Sequence, residues 1–96
     1  MKIELKKFGT TLISHQTGRE AFLALQPLLK EAKEDEAIEV DFEDILIFSP
    51  SWGDEFLIPL LKIYRDKLLL KNTSNPSVQA TLEILEKTIG KNFFKN

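Results

Sequence analysis

The fold of this chain is decided by residues 37–56, AIEVDFEDILIFSPSWGDEF. From Ala37 to Phe42 every second residue is a large apolar one, which is the pattern of a strand with one face in a core. An acidic turn follows, and after Ser49-Pro50-Ser51 a helix is predicted from about Ser51 to Arg65. A strand that leads into a helix is typical of α/β folds. In open α/β sheets ligands and partners dock at such strand ends, so this segment is also the first candidate for a functional site.

Two short strands are predicted before this segment. Lys2–Lys7 alternates charged and apolar residues, and Thr10–Ile13 is rich in β-branched residues. A tight turn at Gly9 would make them an antiparallel pair. The first helix is predicted to begin at a capping box formed by Thr17 and Glu20. Its apolar face is spaced as one side of a helix and consists of Ala21, Phe22, Leu25, Leu28, Leu29 and Ala32.

The second half of the chain predicts one more strand and one more helix. Leu68–Leu70 is predicted to be a fully buried strand. Asn75 and Pro76 are a cap and a first helical residue, and Gly90 is a natural helix end. The second helix directs six residues toward the core: Phe56, Leu57, Leu60, Leu61, Ile63 and Tyr64.

These elements predict a single α/β domain over residues 1–96, with a core of about 2–90 and a tail at 91–96. Their order is ββαβαβα, which predicts a four-stranded mixed sheet with helices packed against it.

Composition restricts the class of protein. The chain is 43% hydrophobic and 29% charged with a net charge of -2, as in an ordinary soluble domain. Its lysines are scattered, which argues against a nucleic-acid partner. It has no cysteine, no signal peptide and no apolar run of about 20 residues, so a cytoplasmic protein without a membrane segment is expected.

Catalysis is not predicted. His15 is the only histidine, and it lies in the loop before the first helix, where a solvated side chain is expected rather than a base. The four glycines are isolated and form no phosphate loop. We therefore expect no enzyme activity and no cofactor.

Five carboxylates are candidate ligands for a metal ion: Asp41, Glu43, Asp44, Asp54 and Glu55. Because the first two share a strand face and the last two lie on a helix, nothing in the sequence fixes their separation, and no metal is predicted. Carboxylates in the first turn of a helix also have a structural role, since they oppose the helix dipole.

Ser49 and Ser51 have two competing interpretations. Either serine can cap the following helix, with Asp54 completing a capping box for Ser51. Alternatively, Ser51 or Ser49 is phosphorylated, which would bring negative charge beside the neighbouring carboxylates and either dislodge a partner or recruit an arginine-rich one. Ile58 lies in the polar stripe of the same helix, and with Trp52 it could anchor a partner.

The chain resembles the STAS-like domains of the DUF4325 family, which are relatives of the anti-sigma factor antagonists. Three short motifs in order carry the resemblance, over about residues 9 to 88: Thr17-Gly18-Arg19-Glu20, Val40-Asp41-Phe42 and Ser49-Pro50-Ser51-Trp52-Gly53-Asp54-Glu55.

The resemblance implies a non-enzymatic regulatory domain, often paired with a histidine-kinase-like ATPase that phosphorylates a serine at the start of the helix after the central strand. In an ungapped overlay that serine falls at Pro50, which has no hydroxyl. Ser49 or Ser51 would have to replace it, or the chain lacks the switch.

The leading hypothesis is a module that binds a protein partner through the loop and helix start at 41–56. The expected contact residues are Asp41, Asp44, Ser49, Ser51, Trp52, Asp54, Glu55 and Ile58. A sensor of a small anionic ligand is one alternative. A self-associating structural module is the other, as a monomer or weak homodimer that associates through Ile58 or the Phe93-Phe94 tail.

Overall fold

The structure is a computed structural model that describes residues 1–90. The five strands of these residues are β1 (Lys2–Glu4), β2 (Thr11–Leu12), β3 (Ile38–Asp41), β4 (Ile47–Phe48) and β5 (Leu68–Lys71). Their three α-helices are α1 (His15–Leu29), α2 (Pro50–Tyr64) and α3 (Pro76–Ile89). The prediction that Phe93 and Phe94 mediate self-association lies outside the described residues.

The strands form two small parallel sheets, which confirms the α/β class but not the predicted four-stranded mixed sheet. One sheet has the order β1-β3-β5, and the other pairs β2 with β4. The predicted antiparallel pairing of the first two strands is wrong. A 3₁₀ turn at Leu5–Phe8, followed by Gly9 at a φ of 123°, separates β1 from β2. Each of these two strands then pairs with a strand beyond α1. β4 was not predicted.

The three-stranded sheet has one covered face and one open face. Ile3, Val40 and Leu70 are register neighbours on the covered face and are buried under the helices. On the open face Lys2 lies beside Glu39, and Glu39 lies beside Leu69. Leu69 is therefore exposed, which corrects the prediction that Leu68–Leu70 is buried throughout.

α2 is the central helix, since it packs against both α1 and α3. Its buried arc is wider than the sequence predicts and includes Ile58, which is 6% exposed. Two residues predicted to face the core do not: Ile63, in the last turn of α2, and Leu28, near the end of α1, are more than half exposed.

α1 begins three residues earlier than the capping box predicted. Ser14 is the N-cap, and its hydroxyl accepts a hydrogen bond from the Thr17 amide at 3.1 Å. His15 is thus the first residue of the helix rather than part of a loop.

Gly18 lets α1 approach the start of α2. A Cβ on Gly18 would lie 2.7 Å from the Trp52 carbonyl oxygen, which is closer than real Cβ contacts occur. The two helix starts therefore lie side by side, and a larger residue at position 18 would push them apart.

α3 closes the free edge of β4. The Phe48 amide donates to Ser77 Oγ at 3.0 Å, and the Thr81 hydroxyl donates to the Phe48 carbonyl oxygen. β4 thus has β2 on one edge and side-chain hydroxyls of α3 on the other, which protects an otherwise unpaired strand edge. This contact brings the second half of α3 to the start of α2.

Candidate functional site

Ser49 is the cap of α2. Its Oγ accepts a hydrogen bond from the Trp52 amide at 3.2 Å and donates one to the Ile13 carbonyl oxygen. Pro50 follows at the first helical position, where its missing amide hydrogen has no cost. The structure therefore decides between the two cap interpretations, because Ser49 caps α2 and Ser51 lies within the first turn.

The inward face of this turn belongs to the core. Trp52 is 1% exposed and stacks on Phe56, with ring centroids 4.7 Å apart. Phe48 packs edge-on against Trp52 at 6.1 Å. Trp52 and Ile58 were expected to contact a partner. That expectation is wrong for this conformation, since both side chains are buried within the chain.

Asp41 is also a structural residue. It is 2% exposed, and its Oδ1 accepts hydrogen bonds from the Asn72 amide group at 2.7 Å and the Glu43 backbone amide at 2.9 Å. Its Oδ2 lies 3.4 Å from Lys2 Nζ. The Asn72 bond lowers the pKa of the Asp41 carboxyl, while burial opposes that effect. Because both oxygens are engaged, Asp41 joins the ends of β3 and β5. It is therefore not available for the partner contact that the sequence predicted.

Asp44 is exposed and lies at the other end of α3 from Ser51. With Glu43, Asn72, Ser74 and Asn75 it lines an open hollow of about 430 Å³. Its Oδ2 lies 3.5 Å from Lys6 Nζ. The pKa of Lys6 is raised, first by the field of Glu43 and then by the hydrogen bond to Asp44.

The outward face of the first two turns of α2 lines a second, smaller depression of about 220 Å³, which we call the α2-start groove. It is lined by His15, Pro50, Ser51, Asp54, Ile84, Leu85 and Thr88. Glu55 lies beside it, and its Oε1 is 3.7 Å from His15 Nδ1. Among residues 1–90 the Ser51 hydroxyl has no hydrogen-bond partner.

The predicted contact residues therefore fall into three groups. Asp41, Trp52 and Ile58 are buried, and Ser49 is engaged as a cap. Ser51 and Asp54 line the groove, and Glu55 lies beside it at His15. Asp44 does not join them, because the hollow lies at Asn75 and the groove at Ile84–Thr88, about 14–20 Å away along α3.

Sequence reasoning missed the contribution of α3 to this site. Ile84 is 47% exposed and lines the groove together with Thr88. The spacing of Val78, Leu82, Leu85 and Ile89 predicts the core side of α3, and Ile84 lies outside that face, which is the only sequence signal for an outward role. Nothing local indicates that Ile84 lies near the start of α2, because its position depends on how α3 packs beside β4.

The described residues place limits on other chemistry. Over residues 1–90, no three His, Asp or Glu side chains are grouped so that they could hold a metal ion. In the same part of the chain, none of the helices has both the length and the apolar character needed to cross a membrane. Within these residues the strand order β1-β3-β5 runs in one direction, so this sheet has no point of reversal of the kind at which doubly wound sheets bind ligands.

Comparison of the chain with protein-family models, with curated proteins and with solved structures gives no match.

Proposed function

We propose that this chain is a non-enzymatic regulatory module that binds a protein partner through the 41–56 segment, and that the contact is made by the outward face of the first two turns of α2. One observation carries the proposal. The capping and packing roles at this helix start belong to Ser49 and Trp52, so the Ser51 and Asp54 side chains are not needed for them. Polar side chains without a structural task, grouped beside an exposed Ile84, are suited to a protein contact.

The proposal extends to the kind of module. The residues that resemble STAS-like domains of the DUF4325 family include this helix start, and a histidine-kinase-like ATPase is the partner which that resemblance suggests. The parallel order of β1, β3 and β5 with connecting helices is compatible with it. A cytoplasmic location fits the absence of cysteine.

Regulation by phosphorylation is proposed at Ser51 rather than Ser49. The Ser49 hydroxyl already donates to Ile13 and accepts from Trp52, so a phosphate there would remove a bond that joins β2 to α2. The Ser51 hydroxyl has no such task among residues 1–90, and Ser51 is half-buried at the rim of the groove. A phosphate on Ser51 would add about -1.5 to -2 charges beside Asp54 and Glu55.

The proposed contact is tested by affinity capture from a native lysate with matched baits. Wild type, Asp54→Lys and Asp66→Lys are compared by quantitative mass spectrometry. Asp66 is an exposed carboxylate just beyond the other end of α2 and serves as the control. We expect at least one protein that wild type and Asp66→Lys retain and Asp54→Lys loses. If every captured protein is retained equally by the three baits, the proposed contact is wrong.

The proposed modification is tested separately, with a candidate kinase and ATP. Phosphate is expected on Ser51 and not on Ser49 by mass spectrometry, and Ser51→Ala should abolish incorporation. Absence of phosphate on Ser51, under conditions that modify a positive control, would remove the switch while leaving the binding proposal intact.

Self-association is a second candidate, and one observation favours it. Ile47 of β4 and Ile13, the residue directly after β2, are each about half exposed. Light scattering at increasing concentration tests this candidate. A dimer that Ile47→Ser dissociates would support it, whereas a monomer at all concentrations would exclude it.

A further inference from the structure

The floor of the α2-start groove is aliphatic. Ile84 is 47% exposed, while Leu85 beside it is 2% exposed and completes the surface from below. Pro50, the first residue of α2, also lines the groove. The apolar lining is therefore contributed by α2 and α3 together. A partner side chain that entered here would meet apolar atoms from two helices.

The rim of the groove is acidic. Among the described residues that line it, Asp54 is the one formal charge at neutral pH, and Asp54 is exposed. Glu55 follows directly, with 38% of its side chain exposed, and it faces His15 rather than a lysine or arginine. No lysine or arginine of the described residues lines the groove. The unmodified groove therefore combines an apolar floor with uncompensated negative charge.

We propose that the α2-start groove binds a basic–aliphatic element of the partner protein. An arginine or lysine of that element pairs with the carboxylate of Asp54, and an aliphatic residue next to it packs on Ile84 and Pro50. This inference rests on the proposed function, since it names the chemistry that the partner must present at the same site.

Charge complementarity selects this occupant over two others. An acidic segment would be repelled by the Asp54 carboxylate. A wholly apolar segment would cover the Asp54 carboxylate without supplying a hydrogen-bond donor, and burial of an unpaired charge is unfavourable. A basic side chain with an aliphatic neighbour satisfies the rim and the floor together, and arginine in particular offers a planar fork that matches a carboxylate.

The test is selection of random peptides from a display library on the purified full chain. Enriched peptides are then synthesised, and their affinities are measured by calorimetry. Peptides that bind at the groove are identified by shifts of the Ser51, Asp54 and Ile84 amide signals in NMR spectra. We expect these peptides to share an arginine or lysine adjacent to an aliphatic residue and to bind more weakly as salt increases.

Matched substitutions sharpen the selection. Asp54→Lys should weaken binding about tenfold, because it replaces an attraction with a repulsion, whereas Asp66→Lys should leave it unchanged. Ile84→Ser should also weaken binding, and Ile63→Ser, an exposed isoleucine near the other end of α2, should not. Replacement of the basic peptide residue by glutamate should restore binding to the Asp54→Lys variant.

The outcomes separate this inference from the proposed function. Groove-binding peptides that are acidic, or that lack any basic residue, would overturn the inference and leave partner binding at this site standing. If no peptide shifts the groove signals, and captured proteins are also indifferent to Asp54→Lys, both proposals fall.

Discussion

The inward and outward faces of the first two turns of α2 differ in what their residues do, although these residues are adjacent in sequence. The inward face carries Trp52 and Phe56, which stack on each other in the core. The outward face carries Ser51 and Asp54, which line the α2-start groove. On the inward face the identity of each residue is constrained by packing. On the outward face it is not, so the side chains there are the ones that function can use.

The same contrast separates two carboxylates of the 41–56 segment. Asp41 is buried and saturated by hydrogen bonds, whereas Asp54 is exposed. A residue's charge alone does not indicate a binding site, because a carboxylate can equally well join two strand ends through hydrogen bonds. Substitutions that separate the two roles therefore test the account.

The largest effect is expected from Trp52→Ala. Removal of a fully buried indole should lower the free energy of unfolding by about 3–5 kcal/mol, through lost burial and the cavity left behind. Ile63→Ala, an apolar truncation on the exposed side of the same helix, should cost less than about 1 kcal/mol. Urea denaturation of both variants provides the measurement. Similar costs for the two would contradict the assignment of Trp52 to the core.

Asp41→Ala should be the next most damaging substitution, at about 2–3 kcal/mol, because it removes the hydrogen bonds that the Asn72 side chain and the Glu43 amide donate to a buried, charged carboxylate. Asp54→Ala should change stability by no more than about 0.5 kcal/mol. Denaturation curves at pH 7 compare them. Equal losses would mean that Asp54 has a structural role that the fold does not show.

The same carboxyl gives a pH dependence. The pKa of Asp41 is lower in the folded chain than in the unfolded chain. Its stabilisation is therefore complete above the unfolded value, about 3.9, and is lost as the pH falls through the lower folded value. Asp41→Asn should show a smaller loss of stability than wild type over that acid range. Parallel profiles for the two proteins would refute this role.

Gly18→Ala should destabilise the chain by about 1–2 kcal/mol. Alanine normally stabilises a helix relative to glycine by about 1 kcal/mol, but here its Cβ would meet the backbone oxygen of Trp52. Gly53→Ala is the comparison, because a Cβ there would meet side chains rather than backbone, with the Leu85 methyl at 2.8 Å and the Phe48 ring at 3.0 Å. Thermal unfolding distinguishes them, and a rise in melting temperature for Gly18→Ala would show that α1 and α2 lie farther apart.

The smallest expected contrast is between two serines. Ser49→Ala should cost about 1 kcal/mol, because the Trp52 amide loses its cap and Ile13 loses a donor. Ser51→Ala should be neutral within about 0.5 kcal/mol. The reverse order in chemical denaturation would assign the cap to Ser51 and weaken the case for its regulatory role.

Local signals predicted the parts of the fold that depend on neighbouring residues. Asn75 and Pro76 start α3 as expected, and the strand before the acidic turn is β3. The pairing of β1 with β3 was not predicted, because its partner residues are 37 positions apart, as in Lys2 and Glu39, and a turn at Gly9 suggested a closer partner.

The candidate site was predicted only in its α2 half, for the same reason. The helix start in the sequence predicts the places of Ser51, Asp54 and Glu55. The burial of Ile58 and the position of Ile84 in the groove depend on how the helices pack. The aromatic character of Trp52 suggested an anchor for a partner, yet aromatic residues are as suited to a core as to an interface. Without the neighbouring elements, the two uses have the same sequence pattern.

The most direct test of the account is NMR mapping of a captured partner on the isotopically labelled chain. Binding through the outward face of α2 predicts the largest amide shifts at residues 51–55 and 84–88, with Leu69 and Lys71 on the open sheet face unchanged. Shifts confined to the open sheet face, with residues 51–55 unaffected, would contradict the claim that the start of α2 carries the function.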